Sequence, residues 1–113
     1  MPDSFWSRIH RLEGRELHTL SRRSPFRITN VDGIGAEGYP VKTGKRLLIR
    51  RNFLEPMWGD LRREGRLVIA DWKATTTLPS RKWATTYAAA MLAEIEEVEV
   101  QGEGRSVALV LTR

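Results

Sequence analysis

The sequence predicts a single α+β domain in which an antiparallel sheet of three to five strands packs with two or three helices. Three observations support this. Residues 16–50 alternate apolar and polar side chains with the two-residue period of strands, and residues 97–113 do so again around two glycines. Residues 52–96 carry apolar side chains at the three- and four-residue spacing of helices. A chain of 113 residues has the length of one domain.

The first element is expected to be a short helix within residues 1–14. Asp3 or Ser4 is the candidate N-cap, and Gly14 stands just past the helix end. The apolar side chains at helical spacing are Phe5, Ile9 and Leu12. Because so short a helix is marginal alone, we expect it to dock as a lid on the sheet.

The β-rich part follows. Its expected strands are residues 16–20, 26–31, 34–37 and 46–50. The Asp32-Gly33 pair is a hairpin signal between the second and third strands, and Gly38 and Pro40 are expected to end the third. The continuous apolar run Leu47–Ile49 predicts that the fourth strand is buried on both faces.

A helix should follow directly. Asn52 is its expected N-cap, Glu55 completes a capping box, and Gly65 is the C-terminal stop. Pro56 is compatible with this helix because it falls in the expected first turn, where its missing N–H has no helical partner. The expected core stripe is Leu54, Met57, Trp58 and Leu61.

The remaining chain contains one more helix and a hairpin. Residues 66–72 are expected to be a strand or a packed extended connection, and residues 75–79 a loop. Ser80 would cap the longest helix, at residues 81–96. Its apolar or helically spaced positions are Trp83, Tyr87, Ala90, Met91 and Glu94. Residues 97–113 then form a C-terminal hairpin that joins or extends the sheet.

Composition excludes several classes of site. The chain has no cysteine, which rules out a disulfide framework, a thiolate zinc site and a cysteine nucleophile. No apolar run is long enough to cross a membrane, and the charged N-terminus is unlike a signal peptide. These features are typical of a cytoplasmic protein, and no cofactor or metal is expected.

Charge is unevenly distributed along the chain. Lysine and arginine number 19 against 14 acidic residues, a net charge of +5. Residues 1–83 hold 17 basic and 9 acidic side chains, whereas residues 84–113 hold 2 and 5. A basic side and an acidic end are typical of a polyanion binder or of a protein steered to its partner by charge.

We therefore predict a small basic nucleic-acid-binding module with DNA as the favoured partner. Its centre would be the junction between the fourth strand and the following helix, because arginines beside a helix N-terminus suit phosphate. The candidate binding residues, with Lys42 nearby, are Lys45, Arg46, Arg50, Arg51, Arg22, Arg23, Arg27, Arg62, Arg63 and Arg66. Trp72 is the candidate for stacking on an exposed base.

Two alternatives remain. The first is a protein-interaction or inhibitor subunit of a larger nucleic-acid-processing complex, docking through its basic front or through the acidic residues Glu94, Glu96, Glu97, Glu99 and Glu103. The second is a Mg²⁺-dependent nuclease that uses Asp71 and Lys73, with the second carboxylate from Glu55, Asp60 or Glu64.

A literal G-x-G-x-x-G occurs at Gly33, Gly35 and Gly38. A dinucleotide site would need a helix to follow it, and Tyr39-Pro40 follows instead. We therefore assign these glycines to hairpin geometry.

Three stretches carry a resemblance: HTLSRRSPFRITNVDGI, RLLIRRNFLEPMWGDLRREG and SRKWATTYAAAMLAEIEEVEV. With their I-x-R strand end and Y-x-x-A-x-L helix, they resemble a small module found alone or attached to bacterial restriction-type nucleases and helicases. The resemblance covers about residues 16–100 and carries no catalytic residue. It implies an accessory, DNA-associated role in defence or in a mobile element.

Overall fold

The computed structural model describes residues 5–72 and 82–112. Within them the chain has the predicted α+β architecture, with helices and antiparallel strands. The elements are α1 (Phe5–His10), β1 (Glu16–His18), β2 (Pro25–Val31), β3 (Gly35–Pro40), β4 (Leu47–Arg50), α2 (Arg51–Glu64), β5 (Arg66–Val68), α3 (Lys82–Leu92), β6 (Val98–Gln101) and β7 (Ala108–Leu111). The expected caps Asp3, Ser4 and Ser80, the helix start at Arg81 and the loop 75–79 lie outside the described residues.

The first sheet is an antiparallel meander in the order β1-β2-β3-β4. One face is apolar and buried, because Phe26, Ile28 and Ile49 are almost completely removed from solvent. The ring of Phe26 packs edge-on against Tyr87 of α3 at a centroid distance of 4.9 Å. The helices therefore cover this face, and the other face carries Arg27 and further exposed or half-exposed side chains.

Strand β3 extends beyond its expected end. It runs through Gly38 to Pro40, whereas the sequence predicted that Gly38 would stop it. A β-carbon on Gly38 would lie 1.9 Å from the backbone oxygen of Arg27, and one on Gly35 would lie 2.5 Å from that of Ile49. These glycines let neighbouring strands approach closely, and the chain continues after them as a strand.

Strand β4 is packed on one face only. Leu47 and Ile49 are buried while Leu48 is partly exposed, so the prediction of burial on both faces is wrong. The apolar run misled because Leu48 lies opposite Glu37, on the face of the sheet that carries the exposed and half-exposed side chains.

Helix α2 begins two residues earlier than predicted. Arg50 occupies the N-cap position without a side-chain cap, so the Asn52–Glu55 capping box is wrong. The strand leads directly into the helix, and the Arg51 N–H donates to the backbone oxygen of Ile34 at 2.8 Å. Glu55 instead accepts a hydrogen bond from Arg51 Nε at 2.8 Å.

Pro56 consequently lies at the sixth position of α2, beyond the first turn. Its ring nitrogen has no proton for the Asn52 carbonyl, so one helical hydrogen bond is missing there. The predicted stop is confirmed, because Gly65 takes a left-handed conformation with φ of 76°.

Both N-terminal helices pack into one core. Leu54, Met57 and Leu61 of α2 are completely buried, as the stripe predicted. Trp58 is half-buried, and its ring stacks on Phe5 of α1 at 5.3 Å. Ile9 of α1 is also completely buried, so the short helix is held by packing.

The terminal hairpin forms a second sheet of its own. The strand order is β5-β7-β6, so the hairpin pairs with β5 and does not extend the first sheet. Helix α3 ends at Leu92, four residues before the expected end, and Glu94 is exposed beyond it. The chain must turn there because Val98 opens β6, and its N–H donates to the oxygen of Ile95 at 2.9 Å.

Candidate functional site

Two connections meet at one end of the first sheet. The β1–β2 turn and the β3–β4 loop lie side by side because β2 starts where β3 ends, and the Val41 N–H donates to the Pro25 oxygen at 3.0 Å. The turn contributes two exposed cations and the loop three, of which Arg46 pairs with Glu37. We call the other four the basic end: Arg22 and Arg23 from the turn, Lys42 and Lys45 from the loop.

The β1–β2 turn is built to present its arginines. Thr19 is buried, with 3% of its surface exposed. Its hydroxyl accepts from the Ser24 N–H at 3.0 Å, and its carbonyl accepts from the Arg23 N–H at 3.0 Å. Arg23 has φ of 56°, a left-handed conformation that glycine or asparagine adopts with less strain. The turn is thus anchored from within, while both arginine side chains reach solvent.

The β3–β4 loop is similarly anchored. Gly44 has φ of 67°, and its N–H donates to the Pro40 carbonyl at 2.8 Å. The Lys45 N–H donates to the Thr43 hydroxyl at 3.3 Å. Both anchoring bonds use backbone N–H groups of the loop, and the ammonium groups of Lys42 and Lys45 make no ion pair with the described residues.

The open face of the first sheet continues this positive surface. Arg27 of β2 lies directly opposite Tyr39 of β3. Arg46 reaches over the same face, where its Nη2 donates to Glu37 at 2.9 Å. This hydrogen bond to the Glu37 carboxylate raises the pKa of Arg46 above its ordinary value. The face therefore holds two guanidinium groups, of which Arg27 makes no ion pair with the described residues.

The two segments that build this region are free of acidic residues, since residues 17–31 and 38–54 contain neither aspartate nor glutamate. Nearby acids come from outside them. Glu16 lies opposite Arg27 in the β1–β2 register. The loop after β6 contains Glu103 and reaches the turn, where the Ser21 hydroxyl lies 3.3 Å from the Gly104 oxygen.

The opposite end of the sheet holds the predicted junction arginines. Arg51 is half-buried, and its guanidinium carbon lies 5.1 Å from the centre of the Trp6 ring in addition to its bond to Glu55. Trp6 in turn donates its indole N–H to the Asp32 carbonyl at 2.7 Å. Arg51 therefore joins α1 to α2. Arg50 is exposed beside it, at a shallow cleft of about 300 Å³.

The last three predicted arginines lie away from the open face. Arg62 and Arg63 occupy the final turn of α2, on the helical side of the sheet, and Arg62 is about 16 Å along the helix from Arg51. Arg63 pairs with Asp60 at 2.8 Å and contacts Glu64 at 3.3 Å.

Arg66 belongs to the second sheet. It lies opposite Val110, and Val110 lies opposite Glu99 in the same row. The predicted nucleic-acid-binding residues therefore lie on several separate surfaces of the structure.

Trp72 is engaged in packing. It is half-buried, and its ring lies edge-on to Phe53 with centroids 5.4 Å apart. Its indole N–H donates to Asp60 Oδ2 at 2.8 Å. A base could stack only on the part of the Trp72 ring that these contacts leave exposed.

The residues of the nuclease alternative are only partly described. Asp71 is exposed at the end of a short 3-10 helix, and Lys73 lies outside the described residues. Asp60, a candidate second carboxylate, accepts from Trp72 and Arg63. Across residues 5–72 and 82–112, no three His, Asp or Glu side chains form a group that could hold a metal ion.

Two arginines near the N-terminus pair with carboxylates of the acidic end, which comprises Glu94, Glu96, Glu97, Glu99 and Glu103. Arg8 pairs with Glu97 at 2.6 Å, and Arg15 pairs with Glu94 at 2.7 Å, beside a cleft of about 230 Å³. The charge asymmetry along the sequence is therefore reduced in three dimensions. Sequence reasoning missed these pairs because the partners are 89 and 79 residues apart, respectively.

Sequence reasoning also missed Tyr39. The third strand was expected to stop at Gly38, which left Tyr39 outside it. The Tyr39-Pro40 step gave no signal, and only the observed register with Arg27 places the ring on the open face.

Comparisons with models of protein families, with curated proteins and with solved structures find no match. Among the described helices, none is both long and apolar enough to cross a membrane.

Proposed function

We propose that the protein is a nucleic-acid-binding module, and that its binding surface is the basic end together with the adjoining open face of the first sheet. The observation that carries the proposal is the hydrogen bond between Val41 and Pro25, which brings the Arg22–Arg23 turn beside the Lys42–Lys45 loop. Four cations from two separate connections converge there, and neither connection, residues 19–24 or 41–46, contains an acidic residue.

These cations are available for phosphate. None of the basic-end side chains makes an ion pair with the described residues. By contrast, Arg51 and Arg63 already have carboxylate partners within α2. Neutralising phosphates with unpaired cations releases condensed counterions, which drives binding at low salt. An arginine already bound to a carboxylate must give up that contact first.

The role proposed is binding, with no catalytic residue assigned. A DNA-associated accessory function, which the resemblance of residues 16–100 implies, is consistent with such a surface. The competing function is docking to a protein through the acidic end, where Glu96 and Glu99 are exposed. The two proposals place the partner on different parts of the molecule, so surface variants can distinguish them.

The test is a fluorescence-anisotropy titration of labelled DNA and RNA at several salt concentrations without added metal. We expect the logarithm of the affinity to fall linearly with the logarithm of salt concentration. Replacing Arg22 and Lys42 by glutamine should reduce that slope by about 1.5, since each lost phosphate contact contributes about 0.7 to 0.9.

The matched control replaces Arg62 and Arg66 by glutamine, which removes the same charge from other elements. Its slope should equal that of the unmodified protein. Equal losses in the two variants would indicate general charge attraction and would overturn the assigned surface. Absence of binding to any nucleic acid at low salt would overturn the proposal and would favour the competing function, docking to a protein.

A further inference from the structure

The open face of the first sheet carries an aromatic ring that does not pack against the hydrophobic core that the structure describes. Tyr39 is half-buried on β3, with Arg27 opposite it on β2. Glu37, two residues before it on the same face, holds the guanidinium of Arg46. Among the described residues, the Tyr39 ring stacks on no other ring and its hydroxyl has no hydrogen-bond partner.

We propose that this face binds single-stranded DNA, with a base stacked on Tyr39 and the flanking phosphates held by Arg27 and the basic end. The inference rests on the proposed function and names its substrate class. An aromatic ring beside guanidinium groups is the arrangement by which sheet surfaces hold unpaired bases, because every base has a π-face.

The width of the sheet argues against a duplex. Four strands about 4.8 Å apart span about 14 Å before side chains are added. The major groove of B-DNA is about 12 Å wide, so the face cannot enter it. In a duplex the base faces are also buried in the stack, and Tyr39 would have nothing to stack on. A single strand exposes both its bases and its phosphates.

The position of Tyr39 relative to the basic end also suits one strand. Tyr39 immediately precedes Pro40, which anchors the loop bearing Lys42 through the Gly44 N–H. At about 3.3 Å per residue, the Cα atoms of Tyr39 and Lys42 lie within about 10 Å of each other. A base on Tyr39 therefore has phosphate ligands within reach on the same surface. Neither interaction uses a 2′-hydroxyl, so DNA supplies everything that the face contacts.

The experiment measures the affinity of the whole protein for a labelled oligothymidylate of about 16 nucleotides, a duplex of equal length and the corresponding oligouridylate. The unmodified protein should bind the single strand more tightly than the duplex at equal salt. Tyr39→Ala should weaken single-strand binding about tenfold and leave duplex binding unchanged. Tyr39→Phe keeps the ring and should bind nearly as the unmodified protein does.

Folding of both variants is checked by thermal melting, and Tyr39→Phe keeps the test decisive if Tyr39→Ala unfolds. A Tyr39→Phe variant that matches the unmodified protein in melting but loses single-strand binding would overturn the stacking role. Equal or tighter duplex binding, with no effect of Tyr39→Ala, would overturn the inference and leave the proposed function standing. Tighter binding of the RNA strand would overturn the choice of DNA. No binding of any strand by the unmodified protein would overturn the proposed function itself.

Discussion

The backbone N–H of Val41 donates to the carbonyl oxygen of Pro25 at 3.0 Å, and this bond closes one end of the first sheet. It brings together a turn with two arginines and a loop with two lysines that are about 20 residues apart in sequence. Like charges so close repel one another unless a counter-charge or an anionic partner is present. The proposed function follows from that juxtaposition.

Removing the carboxylate that pairs with Arg46 should strengthen binding. Glu37 pairs with Arg46 at 2.9 Å, so a phosphate must compete with it. In Glu37→Gln, Arg46 is free, and we expect tighter binding of single-stranded DNA and a salt slope steeper by about 0.7. Glu55→Gln, which loosens Arg51 at the far end, is the control and should leave the slope unchanged. A weaker complex in Glu37→Gln would contradict the assignment of Arg46 to the surface.

The two junction arginines should differ in stability. Arg51 contacts the Trp6 ring and Glu55, whereas Arg50 is exposed and makes no ion pair with the described residues. Arg51→Gln should lower the free energy of unfolding by about 1 kcal/mol, through loss of the cation–π contact. Arg50→Gln should change it by less than about 0.5 kcal/mol. Urea denaturation measures both, and equal effects would remove Arg51 as a link between the helices.

A methyl group should be tolerated very differently at two glycines. At Gly38 the new β-carbon would meet the Arg27 oxygen at 1.9 Å, whereas at Gly59 of α2 it would meet nothing within 4 Å. Gly38→Ala should therefore destabilise the protein by about 1–3 kcal/mol, because β2 and β3 must separate. Gly59→Ala should stabilise it by about 0.5–1 kcal/mol through helix propensity. Thermal melting measures both variants. A Gly38→Ala variant that melts at the same temperature as the unmodified protein would contradict the observed close approach of β2 and β3.

The turn before β3 should give an acid-dependent contribution to stability. Hydrogen bonds from the N–H groups of Ile34 and Gly35, the former being the stronger cause, hold the pKa of Asp32 below its ordinary 3.8. Because the folded pKa is lower than the unfolded one, the stabilisation is complete above pH 3.8 and is lost as pH falls through the folded value.

Melting of Asp32→Asn, compared with the unmodified protein over a pH series, measures this contribution. The difference between the two proteins should be largest near neutrality and should shrink below pH 3.8. Asp71→Asn, a change at an exposed carboxylate, is the control. A difference that stays constant down to strong acid would show that the charge of Asp32 contributes nothing to the turn.

Two variants of the β1–β2 turn should differ in stability but have the same effect on DNA binding. Arg23 has a positive φ of 56°, whereas the φ of Arg22 is negative. Arg23→Gly should raise the free energy of unfolding by about 1 kcal/mol by relieving the left-handed conformation. Arg22→Gly should lower it slightly, since glycine adds freedom to the unfolded chain. Each variant loses one cation, so both should reduce the salt slope of DNA binding by about 0.7. Equal melting temperatures would argue against strain at Arg23.

Local patterns in the sequence were sufficient for most of the fold. The Asp32-Gly33 pair, the left-handed stop at Gly65 and the stripe Leu54, Met57 and Leu61 were predicted correctly, because short-range turn chemistry and helical spacing determine them. The α+β class follows from the same patterns. The prediction of the α2 N-cap failed because the start of this helix depends on where the preceding strand stops pairing. Arg50 is still paired with Gly35 in the sheet, so α2 starts at Arg51 and Asn52 is already inside it.

The tertiary structure alone decided which charges act together. The sequence by itself determined that the net charge is positive before residue 84 and negative after it. Which cations converge depends on strand order, because an antiparallel meander places alternate connections at the same end of the sheet. That order joins Arg22 to Lys42 and sends Arg50 to the other end. It also decides which cations are already neutralised, since ion pairs such as Arg8 with Glu97 join distant parts of the chain.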